Sequence, residues 1–201
     1  MTNIPSQTAS SYSAIVEANT IYTFTVGRKN KTKRIVIDFT NDEFRHLAGF
    51  QYLTDVEFPS RKSENIFFLT RDNTDFQETI LASTMYSKIE ERITHLAHLD
   101  WVLSHPDDIV VWSPTRAKMY SKLKADYLIS RKHEGKYDIF GIEKGNKNYH
   151  GVTFMVEETD KYINGQTKWF ILKIERSTKV TSEILFVSPS FREDELNTDS
   201  I

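Results

Sequence analysis

A single histidine, His46, lies in the segment NDEFRHLAGFQYLTDV, which runs from Asn41 to Val56. An imidazole has an ordinary pKa of about 6.5, so His46 could act as an acid or a base near neutral pH. The neighbouring Phe44 and Leu47 are apolar, which also fits a buried histidine that is hydrogen-bonded to the backbone. The spacing alone favours the buried histidine and leaves acid–base chemistry open.

Basic residues are concentrated in the segment TRAKMYSKLKADYLISRKHEGK, over residues 115–136, where only Asp126 and Glu134 oppose them. Cations interleaved with aromatic rings bind the phosphates and bases of nucleic acid. The other interpretation is a solvent-exposed strand edge protected by lysines, and composition alone favours it. The basic residues and the two interleaved tyrosines are Arg116, Lys118, Lys122, Lys124, Arg131, Lys132, His133, Lys136, Tyr120 and Tyr127.

The remaining candidate residues do not form a recognisable metal or cofactor motif. His95 and His98 are three residues apart and would share one face of a helix, a spacing that can bind a metal. No HExxH pattern supports this, and the chain has no cysteine to serve as a nucleophile or zinc ligand. Glycine-rich phosphate loops are also absent from the sequence. We therefore predict neither a metal nor a cofactor.

The elements that must position His46 are predicted from capping and periodicity. Residues 1–10 are polar and are expected to form a flexible N-terminus. Thr40 and Glu43 have the spacing of a capping box, so a helix is predicted from Asn41 to a C-cap at Gly49, with His46 in its middle. Before this helix, we predict a short helix over 11–18 and a hairpin of strands 21–26 and 33–40.

A second capping box, Thr74 to Gln77, predicts one long helix that continues to about residue 103. Six β-rich stretches follow, and the acidic residues 191–201 are expected to be a flexible tail. The pattern indicates an α+β fold with one domain over residues 11–190: an N-terminal hairpin and helices packed on an antiparallel β-sheet of four or more strands. The six predicted strands are 109–112, 125–130, 137–143, 150–157, 168–176 and 183–188.

Composition limits the classes of protein that fit. Hydrophobic residues make up 39% of the 201 residues and aromatic residues 12%, which is enough to build a core. The net charge of -2 provides no global attraction for nucleic acid, so a nucleic-acid partner must be met by a local basic patch. No signal peptide or membrane-spanning stretch is evident, and a soluble cytoplasmic protein without membrane contact is expected.

Three segments together resemble a known family. Phe44-x-His46-Leu47-x-Gly49 after a hairpin is similar to an FxHLxG signature of the phage-associated barnase–EndoU–colicin–RelE-like nucleases, in their fourth phage-type branch. The segment KLKADYLIS, residues 122–130, resembles the family strand KIKADYLL. Residues 151–176 resemble its PVSFF…Y…Q…LLKIEK segment, and the order of the three segments carries the resemblance.

The resemblance implies a barnase/RelE-like fold and a metal-independent endoribonuclease, a toxin or effector of a phage or mobile element. RNA would be the substrate, and a neutralising antitoxin or immunity protein a possible partner. In such enzymes the RNA 2′-hydroxyl attacks the adjacent phosphate with acid–base assistance. The implied catalytic residues are His46, Lys124, Thr153 (where the family usually has serine) and Tyr162. The implied substrate-binding residues are Asp126, Tyr127 and Gln166, to which Arg131 is added only for its charge.

Two alternatives remain open at the level of sequence. The acidic balance, and Met155 in place of a family phenylalanine, also fit an inactive relative that binds RNA or an acidic protein through the basic segment. A structural component of a mobile element would simply pack His46 in its core. Cleavage that depends on His46 would distinguish the nuclease from both.

Overall fold

The computed structural model describes residues 3–117, 121 and 123–192. Short 3₁₀ turns cover Asn41–Glu43, Phe50–Tyr52 and Tyr86–Lys88. The helices are α1 (Ile4–Glu17), α2 (Phe44–Leu47), α3 (Ser63–Asp72), α4 (Thr74–Leu81), α5 (Glu90–Leu96), α6 (Leu99–Ser104) and α7 (Pro114–Ala117). The strands are β1 (Ile21–Arg28), β2 (Lys31–Ile37), β3 (Asp108–Val111), β4 (Tyr127–His133), β5 (Lys136–Lys144), β6 (Tyr149–Glu157), β7 (Thr167–Ser177) and β8 (Ser182–Val187).

The strands close into a seven-stranded mixed barrel, so the predicted fold of a hairpin and helices packed on an antiparallel β-sheet is wrong. The order β1-β2-β6-β5-β4-β3-β7 returns to β1 because β7 pairs antiparallel with β1. One contact is parallel, where Ile37 of β2 meets Tyr149 of β6. The eighth strand, β8, pairs with β7 outside this ring.

The barrel closes through β7, a strand of eleven residues that pairs with three other strands. Its first residues pair with β3, and the stretch from Phe170 to Ser177 pairs with β1. Its last residues also pair with β8. Enclosed on both sides, β1 buries Phe24 and Val26 together with Thr23 and Thr25 on its other face. A strand pattern of this kind reports burial but does not identify a partner so distant in the sequence.

The strand predictions for the second half of the chain are confirmed in position. Each of the six predicted strands is present, with its ends within three residues of the predicted ones. Strands β3 to β6 form the expected antiparallel meander. The predicted N-terminal hairpin is present as β1 and β2. The predicted tail from residue 193 onward lies outside the described residues.

The first helix begins earlier than predicted, so residues 4–10 are helical rather than flexible. The Asn3 side chain accepts a hydrogen bond from the backbone N–H of Ser6 at 3.2 Å and caps the helix. Thr8 and Ala9 are fully buried, and the Thr8 hydroxyl donates to the carbonyl of Ile93 on α5 at 2.8 Å. Tertiary packing thus stabilises a segment whose polar composition suggested flexibility.

The long helix predicted from Thr74 to residue 103 is broken into α4, α5 and α6. Asp55 explains the first break, because its carboxylate accepts hydrogen bonds from the Ser83 hydroxyl at 2.6 Å and the Thr84 backbone N–H at 2.8 Å. These bonds stabilise a turn at Ser83 and Thr84, although the helical spacing of apolar residues continues through this stretch of the sequence. No helix within residues 3–117 or 123–192 has the length and hydropathy needed to cross a bilayer.

Candidate functional site

His46 is exposed to solvent on α2, so its interpretation as a buried core histidine is wrong. The short helix packs through Phe44 and Leu47, which are fully buried, and leaves the imidazole outside. The predicted capping box before it is confirmed, since the backbone N–H of Thr40 donates to Glu43 Oε1 at 3.2 Å. An apolar neighbour on each side therefore marks the buried face of this turn, not the orientation of His46.

The guanidinium of Arg92, on α5, binds the end of α2. Its Nε donates to the carbonyl of Leu47 at 2.8 Å, and one terminal nitrogen donates to the carbonyl of His46 at 3.2 Å. Carbonyls at a helix C-terminus have no partner within the helix, and a cation is favourable there. The ring of Tyr52 lies 5.7 Å from the guanidinium carbon. Burial lowers the pKa of Arg92 from its ordinary value.

Gly49 lets the Arg92 side chain reach α2. Its φ of +81° is a left-handed conformation that favours glycine. A Cβ at this position would lie 3.0 Å from Arg92 Cδ and 3.1 Å from Ile89 Cγ2. The glycine of the FxHLxG segment therefore ends the turn and leaves room for the arginine.

Replacing Gly49 with alanine is expected to lower the free energy of unfolding by about 1–3 kcal/mol, from left-handed backbone strain and displacement of Arg92. Gly135→Ala is the matched control, because Gly135 has a φ of +84° but no atom within 4 Å of the added Cβ. Urea unfolding of both variants should show the larger loss for Gly49→Ala. Equal losses would mean that the contact with Arg92 has no energetic importance.

The same guanidinium also connects α2 to the barrel. The terminal nitrogen of Arg92 that contacts His46 donates to the hydroxyl of Thr153 on β6 at 3.0 Å. The β5–β6 register shifts at this point, because Ile142 pairs with Gly151 and Gly141 with Thr153. Val152 is thus an extra residue in β6, and bulges of this kind reorient side chains next to functional sites.

Two open pockets adjoin at Val152. The first, called the His46 pocket, is lined by His46, Glu43, His150 and Val152, and by Asp38 and Asp42 at its acidic side. The second, called the Thr153 pocket, is lined by Thr153, Lys124, Tyr162 and Tyr52, again with Val152. One side of Val152 therefore holds two imidazoles, His46 and His150, and the other side holds Lys124 and hydroxyl groups. Arg92 adds a second cation through its bond to the Thr153 hydroxyl.

Glu43 is a buried carboxyl in the wall of the His46 pocket. Burial raises its pKa to about 7, although hydrogen bonds from Tyr12 and Thr40 oppose the shift. Its Oε2 accepts from the Tyr12 hydroxyl at 3.1 Å and from the backbone N–H of Gly151 at 3.3 Å. A carboxyl with this pKa can exchange a proton near neutral pH. It also ties the start of α2 to the bulged strand.

The structure brings four of the predicted residues towards one surface. Thr153, Lys124 and Tyr162 line the same pocket, and His46 lines the adjoining one. Lys124 is exposed, in the loop before β4, whereas Tyr162 is half-buried. Burial first, and then the charge of Glu157, raises the pKa of Tyr162, which keeps its hydroxyl protonated as a hydrogen-bond donor.

The other predicted residues have structural partners away from these two pockets. The Gln166 side chain accepts from the backbone N–H of Ser113 at 3.1 Å and donates to its carbonyl at 3.0 Å. Asp126 accepts from the backbone N–H of Lys144 at 2.8 Å.

Tyr127 is buried, and its hydroxyl accepts from Lys33 at 2.7 Å. Arg131 pairs with Asp107 at 2.6 Å near a different cavity. Lys118, Tyr120 and Lys122 of the predicted basic segment lie outside the described residues.

Two residues of this surface were missed at the level of sequence, Arg92 and Glu43. Arg92 sits in a helix of mixed charge, and nothing in the spacing indicates that it meets α2 and β6. Glu43 was interpreted only as a helix cap. Its signal was its position three residues before His46, which places both groups on the same turn.

An imidazole and a carboxyl with a pKa of about 7 can exchange protons, and the cations Lys124 and Arg92 can neutralise a phosphate. A family model for the phage-Barnase-EndoU-ColicinE5/D-RelE like nuclease4 family matches residues 7–188. The chain therefore belongs to this nuclease family, as the three sequence segments predicted. No curated protein and no solved structure gave a significant match.

Proposed function

We propose that this protein is a metal-independent endoribonuclease whose active site spans the His46 and Thr153 pockets. The observation that carries the proposal is the Arg92 guanidinium, which contacts both the carbonyl of His46 and the hydroxyl of Thr153. It brings the FxHLxG turn beside the bulged strand, whose pocket also contains Lys124. Membership of a nuclease family supports a nucleic-acid substrate.

In the proposed reaction, the 2′-hydroxyl of RNA loses its proton to a base and attacks the adjacent phosphorus. The bond from phosphorus to the 5′-oxygen breaks, and an acid protonates that oxygen. The products are a 2′,3′-cyclic phosphate and a free 5′-hydroxyl. His46 serves as one of the two proton-transfer groups, since a solvent-exposed imidazole can both accept and donate a proton.

Cations and hydroxyls on the same surface stabilise the phosphate as charge develops on it. Lys124 and Arg92 supply positive charge, and Arg92 offers several N–H donors in a planar arrangement that suits phosphate oxygens. The hydroxyls of Thr153 and Tyr162 provide further donors. Preorganised donors of this kind are each worth about 10²–10³ in rate.

The proposed chemistry requires the 2′-hydroxyl, and a pair of matched oligonucleotides tests that requirement. An RNA that is cut at a mapped bond should become fully resistant when the single nucleotide 5′ to that bond carries a 2′-O-methyl group. The same modification one nucleotide away serves as the control and should not protect that bond. Cleavage of the modified bond would show a nuclease that uses water as its nucleophile.

The phage association in the family's name supports a role as a toxin or effector of a phage or other mobile element, acting on RNA in the cytoplasm. A cell that makes such a nuclease would need a neutralising protein. An inactive relative that only binds RNA is the competing function, and uncut RNA in the assay above, together with binding that weakens with salt, would favour it.

A further inference from the structure

Three groups with metal-ligand chemistry meet on the side of α5 that faces the barrel. His95 lies on α5, His133 ends β4, and Asp138 lies on β5. Their donor atoms all lie within 4.8 Å of one another. His95 is therefore directed towards two residues of the β4–β5 hairpin, although the sequence suggested a pair with His98.

Two of these donor atoms are left without hydrogen bonds among the described residues. Asp138 is fully buried, and its Oδ1 lies 2.6 Å from His95 Nδ1. Its Oδ2 and His133 Nδ1 are buried and have no hydrogen-bond partner, although they lie 3.4 Å apart. Buried polar atoms are almost always satisfied, and an absent ion is one explanation for an exception.

We propose that His95, His133 and Asp138 bind a zinc ion. Two imidazoles and one carboxylate are ligands that zinc accepts, whereas magnesium and calcium prefer sites made of oxygen atoms. Bonds of about 2.0–2.1 Å in a tetrahedral site place ligand atoms about 3.4 Å apart, which is the separation of His133 Nδ1 and Asp138 Oδ2. The His133 side chain is 25% exposed, so water can reach a fourth position.

Zinc at this position would have a structural role. It would fix α5 to the β4–β5 hairpin, one helical turn from Arg92 on the same helix. The three ligands are not among the residues that line the His46 and Thr153 pockets, so zinc binding is separate from the proposed RNA chemistry. The alternative is that no ion binds here. Asp138 would then form only its buried hydrogen bond with His95 and its 3.4 Å contact with His133.

Isothermal titration of the untagged, chelator-treated full chain with zinc chloride tests this site. The expected result is one zinc ion per chain, with a rise in the thermal midpoint as zinc is added. His133→Ala and Asp138→Asn should each weaken binding by about 100-fold or more, since the first removes an imidazole ligand and the second replaces the carboxylate with a neutral amide. His105→Ala is the control and should bind like the wild type, because His105 is exposed, bonds to the carbonyl of Trp101 and is not one of the three ligands.

Cobalt provides a second readout, because a tetrahedral nitrogen and oxygen site gives visible absorption that His133→Ala should abolish. His133 is partly exposed, so this variant is expected to fold even if Asp138→Asn does not, and circular dichroism checks this. Less than one bound zinc ion per chain, no change in the thermal midpoint, or unchanged affinity in His133→Ala would overturn the proposal. Loss of binding in His105→Ala instead would show a different surface site.

Discussion

His46→Ala is expected to slow RNA cleavage by about 10²–10⁴-fold while leaving the protein folded. The imidazole is exposed, so its removal opens no cavity, and α2 keeps the buried contacts of Phe44 and Leu47. The rate falls because the proposed reaction loses one of its two proton-transfer groups. Initial rates on a defined RNA, measured beside circular dichroism and a thermal midpoint, separate lost chemistry from lost structure.

Two other histidines make this result specific. His105→Ala removes an exposed imidazole beside a different cavity and should cleave RNA like the wild type. His150 lines the same pocket as His46 and is the residue most able to replace it. If His150→Ala abolished cleavage and His46→Ala did not, the proton-transfer group would be His150.

Arg92→Ala is expected to lower kcat by about 10²–10³-fold and also to destabilise the fold by about 2 kcal/mol. The catalytic loss follows from removing a cation beside the phosphate. The stability loss follows because the carbonyl of Leu47 loses the Arg92 donor, and the carbonyl of His46 keeps only the backbone N–H of Gly49. Steady-state kinetics well below the thermal midpoint of the variant, together with urea unfolding, measure the two effects separately.

Arg92→Lys distinguishes charge from geometry. Lysine keeps the positive charge but cannot contact the carbonyls of His46 and Leu47 and the Thr153 hydroxyl together, so cleavage should recover only in part. Arg71→Ala is the structural control, because this partly buried guanidinium of α3 binds Ser13 and Asp72 instead. Stability loss in Arg92→Ala without any loss of kcat would assign Arg92 to the fold alone.

The sequence predicted the local features of this molecule well, because they depend on nearest neighbours. The capping box at Thr40 and Glu43, the left-handed Gly49 and the strands of the second half all follow from spacing and turn chemistry. The family was also predicted, from three short segments in order. Each of these local features, and each of the three segments taken singly, lies within about thirty residues of the chain.

The sequence did not predict features that depend on contacts between distant residues. The barrel closes through β1 and β7, and the break after α4 depends on the Asp55 carboxylate, which lies 28 residues away from Ser83. The bonds from Arg92 to α2 and Thr153 span 45 and 61 residues. Periodicity reports which face of an element is buried, but it does not report which other element buries it.

The most direct test of the proposed active site is the product end left by the wild-type chain on a defined RNA in excess EDTA. The incubation is kept well below the thermal midpoint of the EDTA-treated protein, so that removing zinc does not unfold it. We predict fragments that end in a 2′,3′-cyclic phosphate and begin with a 5′-hydroxyl, and formation of the same fragments about 10²–10⁴-fold more slowly by His46→Ala. Intact RNA, or fragments with a 5′-phosphate, would contradict a metal-independent ribonuclease that uses the 2′-hydroxyl.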